Sequence, residues 1–178
     1  MIEKLCGIDE AGRGPFAGPL VVAGVVLKNS IDGLNDSKKL TERKREYLFE
    51  EIIKNSIYHI VFIDNKHIDK DGLSICLQNG IKEIMQNIDA KQYLFDGNTT
   101  FGIDGLKCKI KADQTVQEVS AASILAKVSR DRYMCKIALK YPQYHFEKHK
   151  GYGTKLHKEA IKLYGYTPLH RKSFKIKS

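Results

Sequence analysis

The chain reads GIDEAGRGP over residues 7–15, and this stretch decides how the rest of the sequence is interpreted. An apolar segment, predicted as a strand over residues 4–9, leads into two adjacent acids, Asp9 and Glu10, and then into a glycine-rich turn. Sites in open α/β sheets usually lie at such strand ends. We therefore expect Asp9 and Glu10 to have a function rather than only a structural role.

The glycines of this turn are only superficially similar to a dinucleotide-binding loop. Such a loop opens a helix whose N-terminus receives the pyrophosphate, whereas here the chain runs through Pro15 and Pro19 into a valine-rich strand predicted over residues 20–27. The acids Asp9 and Glu10 would also repel a phosphate unless a cation stood between them. A P-loop is excluded because its Gly-Lys-Ser/Thr sequence is missing.

Two further acids stand in comparable positions. Asp96 follows a strand predicted over residues 92–95, and Asp113 follows one predicted over residues 106–110. Strand-end acids can converge on one sheet edge, where four carboxylates would repel one another without Mg²⁺ or Mn²⁺. Two such ions about 4 Å apart would clamp the attacking and leaving oxygens of a phosphodiester. Taken singly, Asp96 as a turn residue and Asp113 as a helix cap remain open alternatives.

The other predicted elements alternate between strand and helix. A polar loop over residues 35–39 precedes a helix predicted over 41–54 with Thr41 as N-cap, and a strand follows over 57–63. Residues 68–88 show helical periodicity with possible breaks near Gly72 and Gly80. A capping box at Thr115 to Glu118 opens a long helix over 115–139, and a last helix is predicted over 156–164. This order predicts an α/β fold, with a mixed β-sheet flanked by helices and a small helical C-terminal part. The length suits a single domain over residues 1–178.

Charge points to a phosphate-rich partner. The net charge is +9, and residues 145–178 hold nine Lys or Arg against two acids. A basic block of this kind suggests nucleic acid, whereas an anionic membrane is a weaker candidate because no long amphipathic stretch accompanies the lysines. The N-terminus has no signal-peptide layout and no apolar run reaches the length of a membrane helix, so we expect a soluble, cytoplasmic protein. We expect a monomer because the sequence shows no association signal. The four scattered cysteines are expected to be buried free thiols.

Several segments are candidates for binding a substrate. Residues 36–39 read DSKK before a helix, and residues 149–154 read HKGYGT, in which glycines flank Tyr152 and would let its ring stand against a sugar or base. A core tyrosine in a tight turn is the alternative. The spacing of the histidines at 145, 149, 157 and 170 matches no zinc pattern, so phosphate contacts or surface positions are expected. Arg130 and Asp131, deep in the long helix, suggest a structural ion pair.

Taken in order, these motifs resemble the ribonuclease HII family, the bacterial type 2 ribonuclease H, over nearly the whole chain. The matching segments are residues 9–15, 18–19, 36–40, 96–97, 113, 120–128, 130–131, 149–154 and 170–174. The resemblance implies a ribonuclease H-like fold and a nuclease that cuts the RNA strand of RNA–DNA hybrids. It also implies incision on the 5′ side of single ribonucleotides embedded in duplex DNA, leaving 3′-hydroxyl and 5′-phosphate ends.

The resemblance also implies roles for particular residues. The implied ligands of two divalent ions, Mg²⁺ or Mn²⁺, are Asp9, Glu10, Asp96 and Asp113. The implied substrate contacts are Gly12, Arg13 and Gly14 on the ribonucleotide 2′-hydroxyl, Tyr152 on the neighbouring deoxyribose, and Lys38 and Lys39 on the backbone. Two alternatives stay open: a related carboxylate-site nuclease without ribonucleotide specificity, and a basic nucleic-acid binding module without catalysis.

Overall fold

A computed structural model describes residues 4–34 and 40–175, so the loop predicted over residues 35–39 lies outside the described residues. Five strands form one sheet in the order β3-β2-β1-β4-β5. The strands are β1 (Leu5–Ala11), β2 (Leu20–Leu27), β3 (Ser56–Ile63), β4 (Gln92–Asp96) and β5 (Leu106–Lys109). Strand β2 runs antiparallel to both β1 and β3, whereas β4 runs parallel to both β1 and β5. The predicted mixed sheet is confirmed.

Six α-helices accompany the sheet in the described residues. They are α1 (Glu42–Asn55), α2 (Asn65–Asp71), α3 (Leu73–Asn87), α4 (Gln117–Ala138), α5 (Phe146–His149) and α6 (Lys155–Tyr164). Thr41 caps α1, as predicted, by accepting a hydrogen bond from the Lys44 amide at 3.2 Å. No helix in the described part of the chain is both long and apolar enough to cross a membrane.

Strand β2 is buried on both faces, and this places helices on both sides of the sheet. Its residues Val21, Ala23 and Val25 pack with α1 and α4, whereas Leu20 and Val22 belong to the cluster formed with α3. Successive side chains of a strand point to opposite faces, so a continuous apolar run is the pattern expected of a central, doubly covered strand.

Helix α4 lies close against β1 because small residues face each other there. A Cβ atom on Gly7 would stand 2.2 Å from the carbonyl carbon of Glu118, in the first turn of the helix. The buried residues Ala121 and Ala122 continue the close approach. The predicted packing of the small-residue helix against the sheet is confirmed.

Two details of the predicted helices are wrong. The capping box is not formed: α4 begins after Val116, which caps it without a side-chain hydrogen bond, and the Thr115 hydroxyl is bonded instead to Lys109 Nζ at 3.0 Å. The break near Gly72 is present, but α3 passes through Gly80 without interruption. A Cβ on Gly80 would lie 2.9 Å from Val22 Cγ2, so this glycine permits close packing on the sheet.

The C-terminal part of the chain packs on the end of α4 and on the loop between β1 and β2. Its core consists of Met134 and Ala138 from α4 with Tyr144, Phe146 and Ala160 from the C-terminal segment, and it also includes Ala17. An isolated bridge pairs Ala17 with His170. The loop after β1 is therefore held between the sheet and the last residues of the chain.

Candidate active site

Asp9 and Asp96 lie on the same face of the sheet. Ile8 and Phe95 are partners across the parallel β1–β4 pair, and both belong to the core on the α3 side. The next residue along each strand points to the other face, toward α4. Asp9 is 8% exposed at that position, and Asp96 ends β4 beside it.

Asp113 reaches the same place from a short 3-10 helix, Ala112–Gln114, that follows β5. Lys111 turns the chain there with a left-handed φ of 58°, and the Ala112 amide donates to Asp96 Oδ1 at 3.3 Å. One carboxylate oxygen from each of Asp9, Asp96 and Asp113 lies within 4.8 Å of the others. The structure thus brings together three of the four acids at the spacing of a metal site.

Glu10 borders the same cleft from the other face of β1. Its Oε1 accepts a hydrogen bond from Arg13 at 3.3 Å, while its Oε2 is buried and has no hydrogen-bond partner among the described residues. Glu10 still lies close to the aspartates, since its amide donates to Asp9 Oδ1 at 2.7 Å and its carboxyl group interacts electrostatically with Asp9 and Asp96. A buried carboxylate oxygen without a partner is costly, and a cation would satisfy it.

The electrostatics of the acids fit a divalent cation. Burial raises the pKa of Asp9 well above its ordinary value, and the nearby charges of Glu10 and Asp96 raise it further. Burial also raises the pKa of Glu10, although Arg13 opposes that shift. Oxygen-only ligands with crowded negative charge are what hard ions such as Mg²⁺ and Mn²⁺ bind. The residues present therefore fit the metal that the sequence predicts.

The acids line a cleft of about 540 Å³ together with the predicted substrate-binding loop. Gly12, Arg13 and Gly14 form one wall and Tyr152 another, and a Cβ on Gly14 would lie 4.0 Å from Tyr152 Cε1. Tyr152 is 41% exposed, so it is not a core tyrosine. The remaining predicted contacts, Lys38 and Lys39, lie outside the described residues.

Two buried arginines next to the cleft were not recognised in the sequence as part of the site. Asp131 pairs with Lys127 at 2.8 Å, so the predicted Arg130–Asp131 ion pair is wrong. Arg130 and Arg171, each 1% exposed, instead donate to backbone carbonyls around the loop. Their acceptors are distant in sequence and are not side chains, so no local motif indicates them.

Three of the four histidines differ from the prediction of phosphate contacts or surface positions, whereas His145 is partly exposed, as predicted. His149, His157 and His170 are buried, and the rings of His149 and His157 stack with centroids 4.4 Å apart. The fourth, His145, lies near Glu147 with its Nδ1 3.7 Å from the carboxylate. Of the cysteines, Cys6 and Cys76 are buried as expected, Cys108 and Cys135 are partly exposed, and all four are free thiols.

A mixed sheet that gathers carboxylates from three chain segments at one cleft, beside a basic glycine loop, defines the class of metal-dependent nucleases with a ribonuclease H-like fold. Comparison with known proteins agrees with this class. The model of the family "Ribonuclease HII" matches residues 6–177. Ribonuclease HII of Sulfurovum sp. is 60% identical over 175 residues, covering 98% of this chain and 93% of that protein.

The solved structures show the same fold. The ribonuclease HII in the complex with PCNA from Archaeoglobus fulgidus superposes with a TM-score of 0.86 at 27% identity, covering 98% of this chain and 96% of that one. Bst-RNase HIII in complex with Mn²⁺ gives a TM-score of 0.71 at 17% identity, covering 96% of this chain and 67% of that one. The chain belongs to the ribonuclease HII family and is a nuclease, a hydrolase of phosphodiester bonds.

Proposed function

We propose that this nuclease cuts the RNA strand of RNA–DNA hybrids and incises duplex DNA on the 5′ side of a single embedded ribonucleotide. The observation that carries the proposal is the cleft itself, which joins a carboxylate cluster to the loop of residues 12–14 and to Tyr152. One wall of the cleft can hold the scissile phosphate through metal, while the other can contact the sugar that distinguishes RNA from DNA.

The acids are proposed to hold two divalent cations, Mg²⁺ or Mn²⁺. Asp9, Asp96 and Asp113 provide the converging oxygens, and the buried Glu10 Oε2, which has no hydrogen-bond partner in the described part of the chain, provides a further ligand at the edge of the cluster. When bound, such ions supply charge neutralisation and an activated water for phosphodiester hydrolysis. The protein fixes the carboxylates on two rigid strands and a short helix, so little reorganisation is needed when the substrate arrives.

The loop and Tyr152 are proposed to read the junction between RNA and DNA. Gly12 has a φ of +95°, which favours glycine, and a Cβ there would stand 2.2 Å from Arg130 Nε. The missing side chain at position 12 makes room for Arg130, and the missing side chain at position 14 leaves space beside Tyr152, where the loop backbone can approach a ribose closely. The half-exposed Tyr152 ring then stands where it can stack on the neighbouring sugar.

The basic C-terminal part, residues 145–178, is proposed to contact the substrate backbone, together with Lys38 and Lys39. With nucleic acid as its partner, we propose that the protein acts as a monomer in the cytoplasm, in ribonucleotide excision repair and in replication.

The test uses a labelled DNA duplex containing one ribonucleotide, with all-DNA and all-RNA duplexes and a long hybrid for comparison, in Mg²⁺, in Mn²⁺ and in chelator. Metal-dependent incision on the 5′ side of the ribonucleotide is expected, without cleavage of the all-DNA or all-RNA duplex. Cleavage of long hybrids alone would refute the proposed recognition of the RNA–DNA junction. Cleavage of the all-DNA or all-RNA duplex would indicate a nuclease without ribonucleotide specificity. Binding without any cleavage would indicate a basic nucleic-acid binding module without catalysis.

The metal-ligand assignment is tested by Asp9→Asn, because an amide cannot replace the charge that a cation requires. We expect cleavage to fall by about three orders of magnitude or more, while folding and duplex binding are largely kept. The exposed Asp32 provides a matched control, and Asp32→Asn should cleave at the parent rate. Rates are measured in single turnover at equal metal and enzyme concentrations. Retained activity in Asp9→Asn would contradict the assignment.

A further inference from the structure

Arg171 holds the loop of residues 12–18 from its buried side. Its Nη2 donates to the carbonyl of Gly12 at 2.6 Å and its Nη1 to the carbonyl of Arg13 at 3.0 Å. Its Nε and Nη2 both donate to the carbonyl of Gly18, at 3.0 and 2.9 Å. The backbone amide of Arg171 adds a bond to the carbonyl of Phe16 at 2.7 Å. One residue, more than 150 positions away in sequence, thus fixes both ends of the loop.

Arg130 supports the same region from helix α4. It donates to the carbonyls of Pro19 at 2.9 Å and Ala17 at 3.1 Å, and to the carbonyl of Lys150 at 2.9 Å. Its guanidinium also lies 5.6 Å from the centre of the Tyr152 ring. Arg130 therefore links the end of the loop to the turn that carries Tyr152, so both walls of the cleft rest on buried arginines.

Neither guanidinium forms an ion pair with a carboxylate in the described part of the chain. Burial, and to a smaller extent the neighbouring charge of Arg130, lower the pKa of Arg171 to about 9. Two buried positive charges that have no ion pair among the described residues, and only the more distant Asp69 and Asp131 to offset them, are expensive to maintain. Backbone carbonyls satisfy their hydrogen bonds but do not neutralise them, so stability alone is a poor reason for placing two arginines here.

The direction of these bonds determines what the loop presents to the cleft. The peptide bonds are trans, and the carbonyl and N–H of a trans peptide unit point in opposite directions. Because Arg171 binds the carbonyls of Gly12 and Arg13 on the buried side, the amides of Arg13 and Gly14 point away from it. The cleft that these residues line is on that other side.

We propose that Arg171 is a positioning residue for ribonucleotide selectivity, which orients the residue 12–14 loop so that its amides can recognise the ribose. The inference rests on the proposed function of this loop. Lysine could not replace the arginine, because the bonds to Gly12, Arg13 and Gly18 need several donors in a planar fork. The charge would be kept in Arg171→Lys, but the geometry would be lost.

The experiment measures binding rather than cleavage. All variants are made in an Asp9→Asn background, and their affinities are compared for two duplexes that differ only in one 2′-hydroxyl. The parent is expected to prefer the ribonucleotide duplex, and Arg171→Lys to lose that preference by about fivefold to tenfold, the size of one or two hydrogen bonds. Arg132→Lys is the control, since Arg132 lies on the same helix as Arg130 but pairs with the exposed Glu46 and Glu50.

The possible outcomes distinguish a positioning role of Arg171 from a merely structural one. Loss of preference in Arg171→Lys with a normal control supports the positioning role. Retained preference overturns it, and so does an equal loss of affinity for both duplexes, which a merely structural role would give. A parent without preference would refute the proposed function of the loop itself, and this inference with it.

If Arg171→Lys does not fold, the proposal can still be tested directly on the Asp9→Asn parent. In the ¹⁵N-labelled Asp9→Asn parent, the side-chain Nε–H resonance of Arg171 should shift on binding the ribonucleotide duplex and shift less with the all-DNA duplex. Identical responses to the two duplexes would overturn the proposal.

Discussion

Tyr152 is held in place through its backbone, which leaves its ring available to the cleft. Its carbonyl accepts from His157 Nδ1 at 2.9 Å and from the Thr154 amide at 2.8 Å. Its amide donates to the carbonyl of His149 at 2.9 Å. Removing the side chain should therefore disturb recognition more than folding, because none of these bonds involves the ring.

Tyr152→Ala is expected to impair incision at a single ribonucleotide by about tenfold or more, since stacking on a sugar or base contributes about 1–3 kcal/mol. A long hybrid, in which every sugar on the cut strand carries a 2′-hydroxyl, should be cut with a smaller loss. The measurement is kcat/KM on both substrates. Tyr152→Phe keeps the ring and should stay near the parent on both, whereas equal losses in Tyr152→Ala would argue against a junction role.

At the residue scale, the sequence predicts the location of those side chains whose direction depends on their position in a strand. Asp9 and Asp96 are predicted correctly as neighbours, because each stands at the end of an apolar strand. The direction of the Glu10 side chain follows from strand alternation, but only once its strand is known to extend to Ala11. Arg171 could not be predicted, because its acceptors are carbonyls far away in the chain.

At the element scale, a chain of hydrogen bonds joins α6 to the last turn of the chain. The Thr167 amide donates to His170 Nδ1 at 2.8 Å, His170 and His157 meet through their Nε2 atoms at 3.0 Å, and His157 Nδ1 meets the Tyr152 carbonyl at 2.9 Å. These partners are all satisfied only if both rings are neutral, with His170 Nε2–H donating to His157 Nε2. A proton added to either ring would break the chain.

The free energy of unfolding should accordingly depend on pH. Burial lowers the pKa of both His157 and His170 from 6.5 to about 4. The unfolded chain therefore takes up protons first, so stability is complete above about pH 6.5 and falls between pH 6.5 and 4, by up to about 3 kcal/mol per group. Urea denaturation at several pH values tests this, and His170→Gln should give a shallower fall. Because the raised pKa values of Asp9 and Glu10 act in the opposite direction over part of this window, the test is the difference between the parent and His170→Gln, and identical profiles of the two would contradict the neutral chain.

The contact between α4 and β1 gives a second prediction at this scale. Gly7→Ala would place a Cβ about 2.2 Å from the backbone of Glu118, and the backbone of a packed helix cannot move aside cheaply. We expect a loss of roughly 2–4 kcal/mol in unfolding free energy, measured by thermal or chemical denaturation. Gly102→Ala is the comparison, because no atom lies within 4 Å of its Cβ position, although its φ of +69° carries a smaller strain. Equal effects would show that packing is not the cause.

At the scale of the whole molecule, the sheet order places a second basic surface at the same end as the acids. Ile63 ends β3 beside Leu20, and Ala11 ends β1 beside Val21, so both strands finish at the same end of the sheet. Helix α2, which follows β3, is thus two strands from the acids, a lateral step of about 10 Å. The mixed sheet was predictable from the order of elements, but this neighbour relation depends on register, which the sequence does not specify.

Helix α2 and the C-terminal segment border a cleft that carries Lys66, Lys70 and Lys172. The acid among them, Asp69, is already engaged: its carboxylate accepts from the amides of Lys172 and Ser173, each at 2.9 Å. The lysines are exposed, and a duplex lying over the acids is wide enough to pass above them. We therefore expect part of the nonspecific affinity for nucleic acid to come from this cleft.

Replacing Lys66 and Lys70 together by glutamine should reduce the slope of log affinity against log salt by about one for each lost phosphate contact, with little change in preference for a ribonucleotide. Lys28→Gln with Lys54→Gln is the matched control, since the Lys28 amide bonds to Asn55 at the opposite end of the sheet. Affinities for all-DNA and single-ribonucleotide duplexes are measured between low and moderate salt. If both double variants changed the slope equally, the effect would reflect net charge alone, and the substrate would not lie along the edge that carries the acids.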